Sequence, residues 1–562
     1  MKEVNDIADA KKAAGPVFTR FTYCGNDQVY KDNPLKPDEF YSPILQGCYP
    51  DPSIVRKGND FFMVTSSFVM VPGVPVFHSN DLVNWRQIGH VLDKPSQLNV
   101  EDAPIGEGIW APQITYNPFN ETFYMITTHK AAGLGNIVVK TKDPFNGWSD
   151  PFKLQFDGID PSLFFDDDGK AYVVHNDAPE KVLYEGHCVI KIWEYDTDVD
   201  QVIAGTNKIV VDGGVDISKK PFWIEGPHIY KKNGRYYLMC AEGGTCEWHS
   251  EVIFMGDHPK GPYVPAPGNP ILTQRHLPVD RSNKVDQTGH ADLIQNFDGK
   301  YYGVFLAVRP NNKDRVNIGR ETFILPVDWR GEFPVFENGL LPIQPKLKMP
   351  KGVDNRTGQD GFLPNGNFAF TDNFTSEKLG YRWIGVRGWR EEFIDMSKDG
   401  LKINPYPVNI KEVKPTSTLF WRQQHNNFEA TVIMDYKPVS RFELAGIVCY
   451  QNESFNYVFG ITRKDNDDYI VLQRTECKGK GKEAQVASTL IAFEKIDMSK
   501  PVKLRVRAQG DDYQFSYSVN EGGYFKNLGG VVSGDILSTN VAGGFTGSLI
   551  GLYATSANDI IF

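Results

Sequence analysis

The sequence predicts an all-β protein in which a five-bladed β-propeller precedes a β-sandwich. Two observations favour many short strands joined by turns: the 562 residues include 52 glycines and 36 prolines, and aromatic residues reach 13%. The third is a fivefold repeat in the first 345 residues. A net charge of −10 argues against nucleic acid or an anionic membrane as a partner, because both attract basic surfaces. No apolar run has the length of a transmembrane helix.

Each repeat is a predicted hairpin with alternating apolar positions around a turn such as Asp-Gly or Asn-Gly, which tolerates positive φ. Successive starts are 60, 49, 66 and 64 residues apart, much longer than the repeats of a β-helix. Outer-strand segments such as DLVNWRQIG follow most copies. Units of about four strands cannot bury their own faces, so the repeat predicts a propeller. The copies start at Asp51, Ala111, Asp160, Gly226 and His290.

The repeat divides the chain into four parts. Residues 1–37 are a predicted N-terminal extension, 38–345 the propeller, 346–360 a polar linker, and 361–562 a sandwich of alternating strands such as FEATVIMDY and NYVFGITRK. The N-terminus shows no apolar leader. A removed signal would leave the same pattern, so the sequence favours neither the cytoplasm nor the periplasm.

Three of the five repeat starts carry a carboxylate. They are Asp51, Asp160 and Glu225, which precedes Gly226; a fourth start supplies the imidazole of His290. Inner strands of a propeller converge on its axis, so these groups are expected to meet. Clustered carboxylates repel, and one is expected to stay protonated. A protonated acid beside an ionised base is what glycosidic-bond hydrolysis requires. A single Asp-Pro is more often a structural turn, and only the shared register points to catalysis.

Seven ordered segments resemble glycoside hydrolase family 43, in the branch of β-xylosidases and α-L-arabinofuranosidases with a C-terminal, concanavalin-like sandwich. The resemblance spans residue 38 to the C-terminus and rests on QGCYPDPSIV, TSSF, GIWAPQ, GIDPSLFFDDDGKAYVV, IEGPHIYKKNGRYYLM, QTGHADL and GRETFILPVDW. It implies an inverting, exo-acting hydrolase that releases terminal pentose from hemicellulose oligosaccharides. Asp51 matches the general base, Glu225 the general acid, and Asp160 the carboxylate that orients the acid and modulates its pKa.

The resemblance also implies substrate contacts, although core packing explains the aromatic ones equally well. Phe68 and Trp110 match walls of the sugar pocket, and Arg320 matches an arginine that contacts sugar hydroxyls. Arg309 and His290 are weaker candidates. GFTGSLIGLYAT near the C-terminus matches this branch too, and its Phe545 matches an aromatic residue that reaches toward the pocket.

No cofactor is expected for the chemistry. His290 resembles a histidine that lies beside a central calcium in some members, and a hydrogen-bonded histidine is the alternative interpretation. The resemblance implies a homo-oligomer, since relatives of this branch are often dimers or tetramers, but the sequence itself does not indicate the oligomeric state.

Several functional alternatives remain at this point. The stretch after the third hairpin has no tryptophan where β-xylosidases of this branch carry one, and its first aromatic residue is Tyr184. This favours α-L-arabinofuranosidase or dual activity over a strict xylan 1,4-β-xylosidase. Fructan- and sucrose-cleaving enzymes use Arg-Asp-Pro and Glu-Cys motifs, which are absent from the matching positions. A non-catalytic carbohydrate-binding protein would be expected to lack one of the three acids.

Overall fold

The computed structural model describes residues 15–350, 361–479, 484–519 and 523–562. Strands dominate it, as predicted, and two compact units are built from them. In the described part of the chain, no helix is long and apolar enough to cross a membrane. The short helices are Gln28–Asp32 and Thr539–Ala542, with 3-10 turns at Ala131–Gly133, Ile217–Lys219, Arg390–Glu392 and Asp535–Leu537.

One unit contains five antiparallel sheets, here called blades 1 to 5, and confirms the predicted propeller. Blade 1 comprises Ser53–Lys57, Asp60–Val64, Gly73–Ser79 and Arg86–Leu92; blade 2 comprises Ile109–Asn117, Thr122–His129, Gly135–Thr141 and Phe152–Lys153; blade 3 comprises Ile159–Phe165, Ala171–Asp177, Val189–Asp196, Gln201–Val202 and Lys208–Asp212; blade 4 comprises Ile224–Lys232, Arg235–Glu242, Ser250–Gly256 and Val264–Pro265; blade 5 comprises Asp286–Gln295, Tyr301–Val308, Arg320–Asp328 and Val335–Phe336. The same unit holds Met70–Val71 and the pair Glu39–Tyr41 and Lys346–Lys348.

The first strand of each blade is the inner one, and these strands form a closed ring in which blade 5 returns to blade 1. Apolar side chains fill the spaces between neighbouring blades. Phe61 and Met63 of blade 1, for example, pack with Val304 and Ile324 of blade 5. The blades therefore bury their faces against one another, as radial repetition requires.

Local turn chemistry fixes the hairpins inside each blade. In blade 4, Lys232 pairs with Arg235, so the turn consists of two residues, Asn233 and Gly234. Both have positive φ, 52° and 76°, as the type I′ turn demands. The Asn-Gly pair in the sequence thus sets the register of the hairpin.

The other unit is the β-sandwich. One sheet runs in the order Ile394–Ser397, Gly400–Ile403, Val17–Gly25, Asn427–Asp435, Val502–Gln509, Asp512–Ser518 and Lys526–Asn527, with Ala369–Asp372 and Val532–Ser533 at its sides. The other runs in the order Thr418–Arg422, Leu549–Thr555, Leu444–Asn452, Phe455–Lys464, Asp467–Lys478 and Gln485–Lys495. Gly385–Val386 is a further short strand of this unit. Phe18, Trp421, Phe459 and Phe515 belong to the core between the sheets.

Segments distant in sequence complete the sandwich. Strand Val17–Gly25, within the predicted N-terminal extension, lies between Gly400–Ile403 and Asn427–Asp435. The loop Asn311–Asn317 also belongs to this unit: the Asn317 side chain donates to the carbonyl of Gly534 over 2.7 Å. Of the predicted linker, residues 351–360 lie outside the described residues, as do residues 1–14 of the extension.

Candidate active site

The five repeat starts share an unusual backbone conformation. Each has a left-handed φ, and in blades 2 to 5 the ladder to the second strand shifts register there. Such a bulge adds an unpaired residue and redirects neighbouring side chains. Four of the five are not glycine, although this conformation favours glycine. The φ values are 54° for Asp51, 41° for Ala111, 54° for Asp160, 55° for Gly226 and 51° for His290.

Hydrogen-bond donors surround the Asp51 carboxylate and stabilise its negative charge. The hydroxyl of Ser66 donates to Oδ2 over 2.5 Å, and Nη1 of Arg320 donates to Oδ1 over 3.0 Å. Nδ1 of His290 lies 3.5 Å from Oδ1. Burial alone would raise the pKa of Asp51, but Arg320, His290 and Ser66 outweigh burial and lower the pKa. The structure therefore presents Asp51 as an ionised carboxylate, suited to accept a proton.

Glu225 is buried at the start of blade 4. Burial raises its pKa to about 7, the charge of Asp51 adds to this rise, and a hydrogen bond from Trp223 and the charge of Arg320 oppose it. Nε1 of Trp223 donates to Oε2 of Glu225 over 2.5 Å. A carboxyl with this pKa keeps its proton in weakly acidic solution, as a general acid must.

Asp160 is the third carboxyl of the cluster. Its Oδ2 accepts a hydrogen bond from the backbone N–H of Gly226 over 3.3 Å. Burial raises its pKa well above the ordinary value, and the neighbouring charges of Glu225 and Asp51 raise it further. Gly226 directly follows Glu225, so the Asp160 carboxyl is held against the backbone next to Glu225.

Gly226 cannot carry a side chain in this arrangement. A Cβ there would lie 2.8 Å from the His290 ring, in addition to the strain of φ 55°. His290 is itself buried, and burial lowers its pKa to about 4, so it is neutral near pH 7. Burial also lowers the pKa of His249 to about 4, and its Nδ1 contacts the carbonyl of Gln287 over 3.0 Å. Arg320 is therefore the permanent cation beside Asp51.

The expected calcium near His290 does not fit its surroundings. Calcium takes six or more oxygen ligands. The groups that influence His290 are the imidazoles of His228 and His249, the guanidinium of Arg320, and the Asp51 carboxylate. That carboxylate already accepts from Arg320 and Ser66. No group of three or more His, Cys, Asp or Glu side chains in the described chain could hold a metal ion. We therefore derive no catalytic step through a metal.

The predicted pocket walls lie beside the groups that surround Asp51. Phe68 is buried, and the Arg320 guanidinium lies 5.9 Å from its ring centre. Trp110 is half-buried, and its indole N–H donates to the carbonyl of Gly106 over 2.8 Å. The next residue, Ala111, donates its backbone N–H to the Ser66 hydroxyl over 2.7 Å. Blade 2 is thereby joined to the group that holds Asp51.

Two other candidates have different surroundings. Arg309 forms a buried two-point ion pair with Glu321, with distances of 2.6 and 2.9 Å. Glu321 also accepts from the backbone of Gly47 over 3.0 Å, so Arg309 anchors the segment before Asp51. Phe545 belongs to the sandwich unit and is 40% exposed. The substrate-binding roles of Arg309 and Phe545 stay predictions.

Two side chains that donate to the carboxyls, Ser66 and Trp223, were not predicted from the sequence. Ser66 lies in the TSSF motif, in which the family resemblance assigns a role only to Phe68, two residues later. Trp223 precedes Glu225 by two residues, outside the matched motif IEGPH. The available signal was a polar residue inside a motif for Ser66 and an aromatic residue next to a motif for Trp223, but neither position belongs to the fivefold repeat.

Comparison with known proteins agrees with this architecture. The model of the glycosyl hydrolases family 43 matches residues 40–334, and that of the beta xylosidase C-terminal concanavalin A-like domain matches residues 371–559. A xylosidase/arabinosidase of Butyrivibrio fibrisolvens is 35% identical over 92% of this chain and 95% of its own length. A non-reducing end alpha-L-arabinofuranosidase of Bacteroides ovatus is 31% identical over 93% and 92%. The crystal structure of a GH43_12 retrieved from capybara gut metagenome is 56% identical, covers 97% of this chain and 100% of its own, and superposes with a TM-score of 0.92.

Proposed function

The chain belongs to glycosyl hydrolase family 43 and is a glycoside hydrolase, and we propose that it inverts configuration while releasing single terminal pentoses from hemicellulose oligosaccharides. The observation that carries this proposal is the opposite titration of two buried carboxyls. The pKa of Asp51 is lowered by Arg320, His290 and Ser66 in spite of burial, whereas burial raises that of Glu225 to about 7. In weakly acidic solution, the lowered pKa keeps Asp51 ionised as a base, and the raised pKa keeps Glu225 protonated as an acid.

In the proposed reaction, the Asp51 carboxylate removes a proton from a water molecule whose oxygen attacks the anomeric carbon. The bond from that carbon to the glycosidic oxygen breaks, and its electron pair goes to the oxygen. Glu225 supplies the proton that makes this oxygen a neutral alcohol. Asp160 accepts a hydrogen bond from the backbone N–H of Gly226 and thereby orients the preceding residue, Glu225, for proton transfer.

For the sugar, we propose a preference for α-L-arabinofuranose, with β-D-xylose accepted less well. The support is the missing tryptophan after the third hairpin. Tyr184, the first aromatic residue there, donates to the carbonyl of Gly213 over 3.2 Å and stacks on His187 with ring centres 4.8 Å apart. Tyr184 is thus held by its own blade. One relative is named an alpha-L-arabinofuranosidase, one a xylosidase/arabinosidase and one a beta-xylosidase, so both sugars are carried forward to the test.

The first test compares wild-type rates on nitrophenyl α-L-arabinofuranoside and nitrophenyl β-D-xyloside. A higher kcat/KM for the arabinofuranoside is expected. A higher value for the xyloside would make the chain a β-xylosidase and overturn the preference but not the class. No turnover of either would overturn the proposed pentose.

The acid is tested with Glu225→Gln, which keeps the shape of the side chain without a transferable proton. On oligosaccharides, whose leaving groups are poor, kcat is expected to fall about 10³-fold. On a dinitrophenyl glycoside, whose leaving group needs little protonation, a loss of about tenfold or less is expected. Equal losses on both would remove Glu225 from the acid role. Proton NMR of the first product should show the anomer opposite to the substrate, and initial retention would defeat the inverting mechanism.

A further inference from the structure

Trp223 occupies a position that is costly for its residue type. It directly precedes the inner strand of blade 4 and has φ 54°, a left-handed conformation that is a rare outlier for a bulky side chain. Its backbone N–H donates to the carbonyl of Gly186 over 2.9 Å, which holds this conformation. Strain of this kind persists where the surrounding structure demands a particular side-chain direction.

Contacts at both ends of the Trp223 side chain fix its orientation. The ring of Phe222 lies 6.1 Å from that of Trp223, and Gly244 leaves room for both residues: a Cβ there would lie 2.9 Å from Phe222 and 3.8 Å from the Cβ of Trp223. The other end of the indole is fixed by its N–H, which donates to Oε2 of Glu225 over 2.5 Å. Although Trp223 is 37% exposed, its indole nitrogen is hydrogen-bonded to the buried carboxyl of Glu225.

An indole N–H can only donate a hydrogen bond. Oε2 of Glu225, which faces the indole N–H, must therefore accept this hydrogen bond. It cannot point a proton of its own toward the indole nitrogen. In the protonated carboxyl, the transferable proton then belongs to the other oxygen. The contact thus distinguishes the two oxygens of Glu225, which are otherwise chemically equivalent.

We propose that Trp223 is a positioning residue that fixes Oε2 of Glu225 as the acceptor and so makes Oε1 the oxygen from which the proton is transferred. This inference rests on the proposed role of Glu225 as general acid. When the glycosidic bond breaks, the proton leaves Oε1 for the glycosidic oxygen, which receives the electron pair of the broken bond. The new negative charge on Glu225 is shared with Oε2, where the indole N–H stabilises it.

Replacing the indole with a ring that has no donor tests this role. Trp223→Phe is expected to lower kcat on oligosaccharides about tenfold to hundredfold, and by less than about threefold on a dinitrophenyl glycoside. The hydrogen bond favours the ionised acid, so its loss should also move the alkaline limb of kcat/KM to higher pH, by about half a unit or more. An equal loss on both substrates with an unmoved limb would mean that Trp223 only packs, and would overturn the proposal.

A matched control is Trp148→Phe. Trp148 is buried, and its indole N–H has no hydrogen-bond partner in the described part of the chain. This variant removes an indole without removing a hydrogen bond. The pH of the alkaline limb and the ratio of the rates on the two substrates should therefore both stay at wild-type values. A shift of the same size there would assign the effect to the general loss of tryptophan and count against Trp223.

Glu225→Gln separates failure of this inference from failure of the proposed function. If Glu225 is the acid, the alkaline limb disappears in that variant. A limb that persists in Glu225→Gln would overturn the acid assignment and the Trp223 inference with it. A limb that disappears in Glu225→Gln but is unmoved in Trp223→Phe would overturn the Trp223 inference alone.

A measurement on the wild type covers the case in which Trp223→Phe fails to fold. With ¹⁵N-labelled indoles, the protein has ten tryptophan side-chain signals. The Trp223 signal is expected to move downfield as Glu225 ionises near pH 7 and to lose this titration in Glu225→Gln, while the signal of Trp148 stays fixed. The expected result is one indole signal that titrates in the wild type and does not titrate in Glu225→Gln. If no indole signal behaves in this way, the hydrogen bond does not act on the acid, and the proposal is overturned.

Discussion

Blades 1 and 3 begin with the same Asp-Pro pair in the same backbone conformation, yet their aspartates titrate in opposite directions. Asp51 and Asp160 both have φ 54° and both are 6% exposed. The pKa of Asp51 nevertheless lies below its ordinary value and that of Asp160 well above it. Neither place in the repeat nor burial can account for this difference.

The groups that face each carboxyl account for it. Asp51 accepts from a guanidinium and a hydroxyl, which together outweigh the cost of burial. Asp160 accepts a longer hydrogen bond from Gly226 and is near the charges of Glu225 and Asp51, which add to that cost. A symmetric fold thus supplies equivalent carboxyls, and the difference in pKa arises because Arg320 and Ser66, which lie outside the repeat starts, donate hydrogen bonds to Asp51.

The largest expected effect comes from replacing each aspartate with asparagine. Asp51→Asn removes the proposed base, so kcat/KM should fall about 10³-fold or more for good and poor leaving groups alike. Asp160→Asn resembles the protonated form that the raised pKa favours, and a loss of about tenfold to hundredfold is expected, larger on poor leaving groups. Steady-state rates on matched aryl glycosides and oligosaccharides measure both. Equal losses in the two variants, with the same leaving-group dependence, would contradict the assigned difference in charge.

A smaller effect is expected when the neighbours of Asp51 are made more like those of Asp160. Arg320→Met removes the cation and keeps a long side chain, so burial should raise the pKa of Asp51. Since Asp51 must be ionised to act, the acid limb of kcat should move to higher pH, and activity at pH 6 should fall about a hundredfold. Arg320→Lys retains the charge and is the control in which the limb should move less. An acid limb at its wild-type position in Arg320→Met would show that Arg320 does not set the charge of Asp51.

The repeat made much of the carboxyl cluster predictable, because equivalent positions in a propeller converge whatever their separation in sequence. It did not reveal which charge each carboxyl carries. Ser66 follows Asp51 by 15 residues and Arg320 follows it by 269, and neither lies at a repeat start. Arg320 entered the sequence analysis only through resemblance to a family. Such contacts depend on loop conformations that no periodic pattern encodes.

The sandwich shows a different limit of prediction from sequence. Strand Val17–Gly25 pairs with Asn427–Asp435 across some four hundred residues, and a bulge between Phe18 and Arg20 shifts its register. The bulge interrupts the alternation of buried and exposed residues, which is the main sequence signal of a strand. This segment was therefore predicted only as an extension, whereas the regular strands of the sandwich were recognised from their alternation.

The smallest expected effect concerns the Ser66 hydroxyl. Ser66→Ala removes the hydrogen bond to the charged Asp51, worth about 1.5–3 kcal/mol in general, and also the acceptor of the Ala111 N–H. Arg320 remains, so kcat/KM should fall only about tenfold, and the acid limb should move to higher pH by less than in Arg320→Met. Ser162→Ala is the matched control: Ser162 is also buried, but its hydroxyl donates to the carbonyl of Pro227 over 2.5 Å. Removing it should leave the acid limb in place. If both serine variants moved the limb equally, a general loosening of the inner strands would explain the shift, and the hydroxyl would have no specific role in keeping Asp51 ionised.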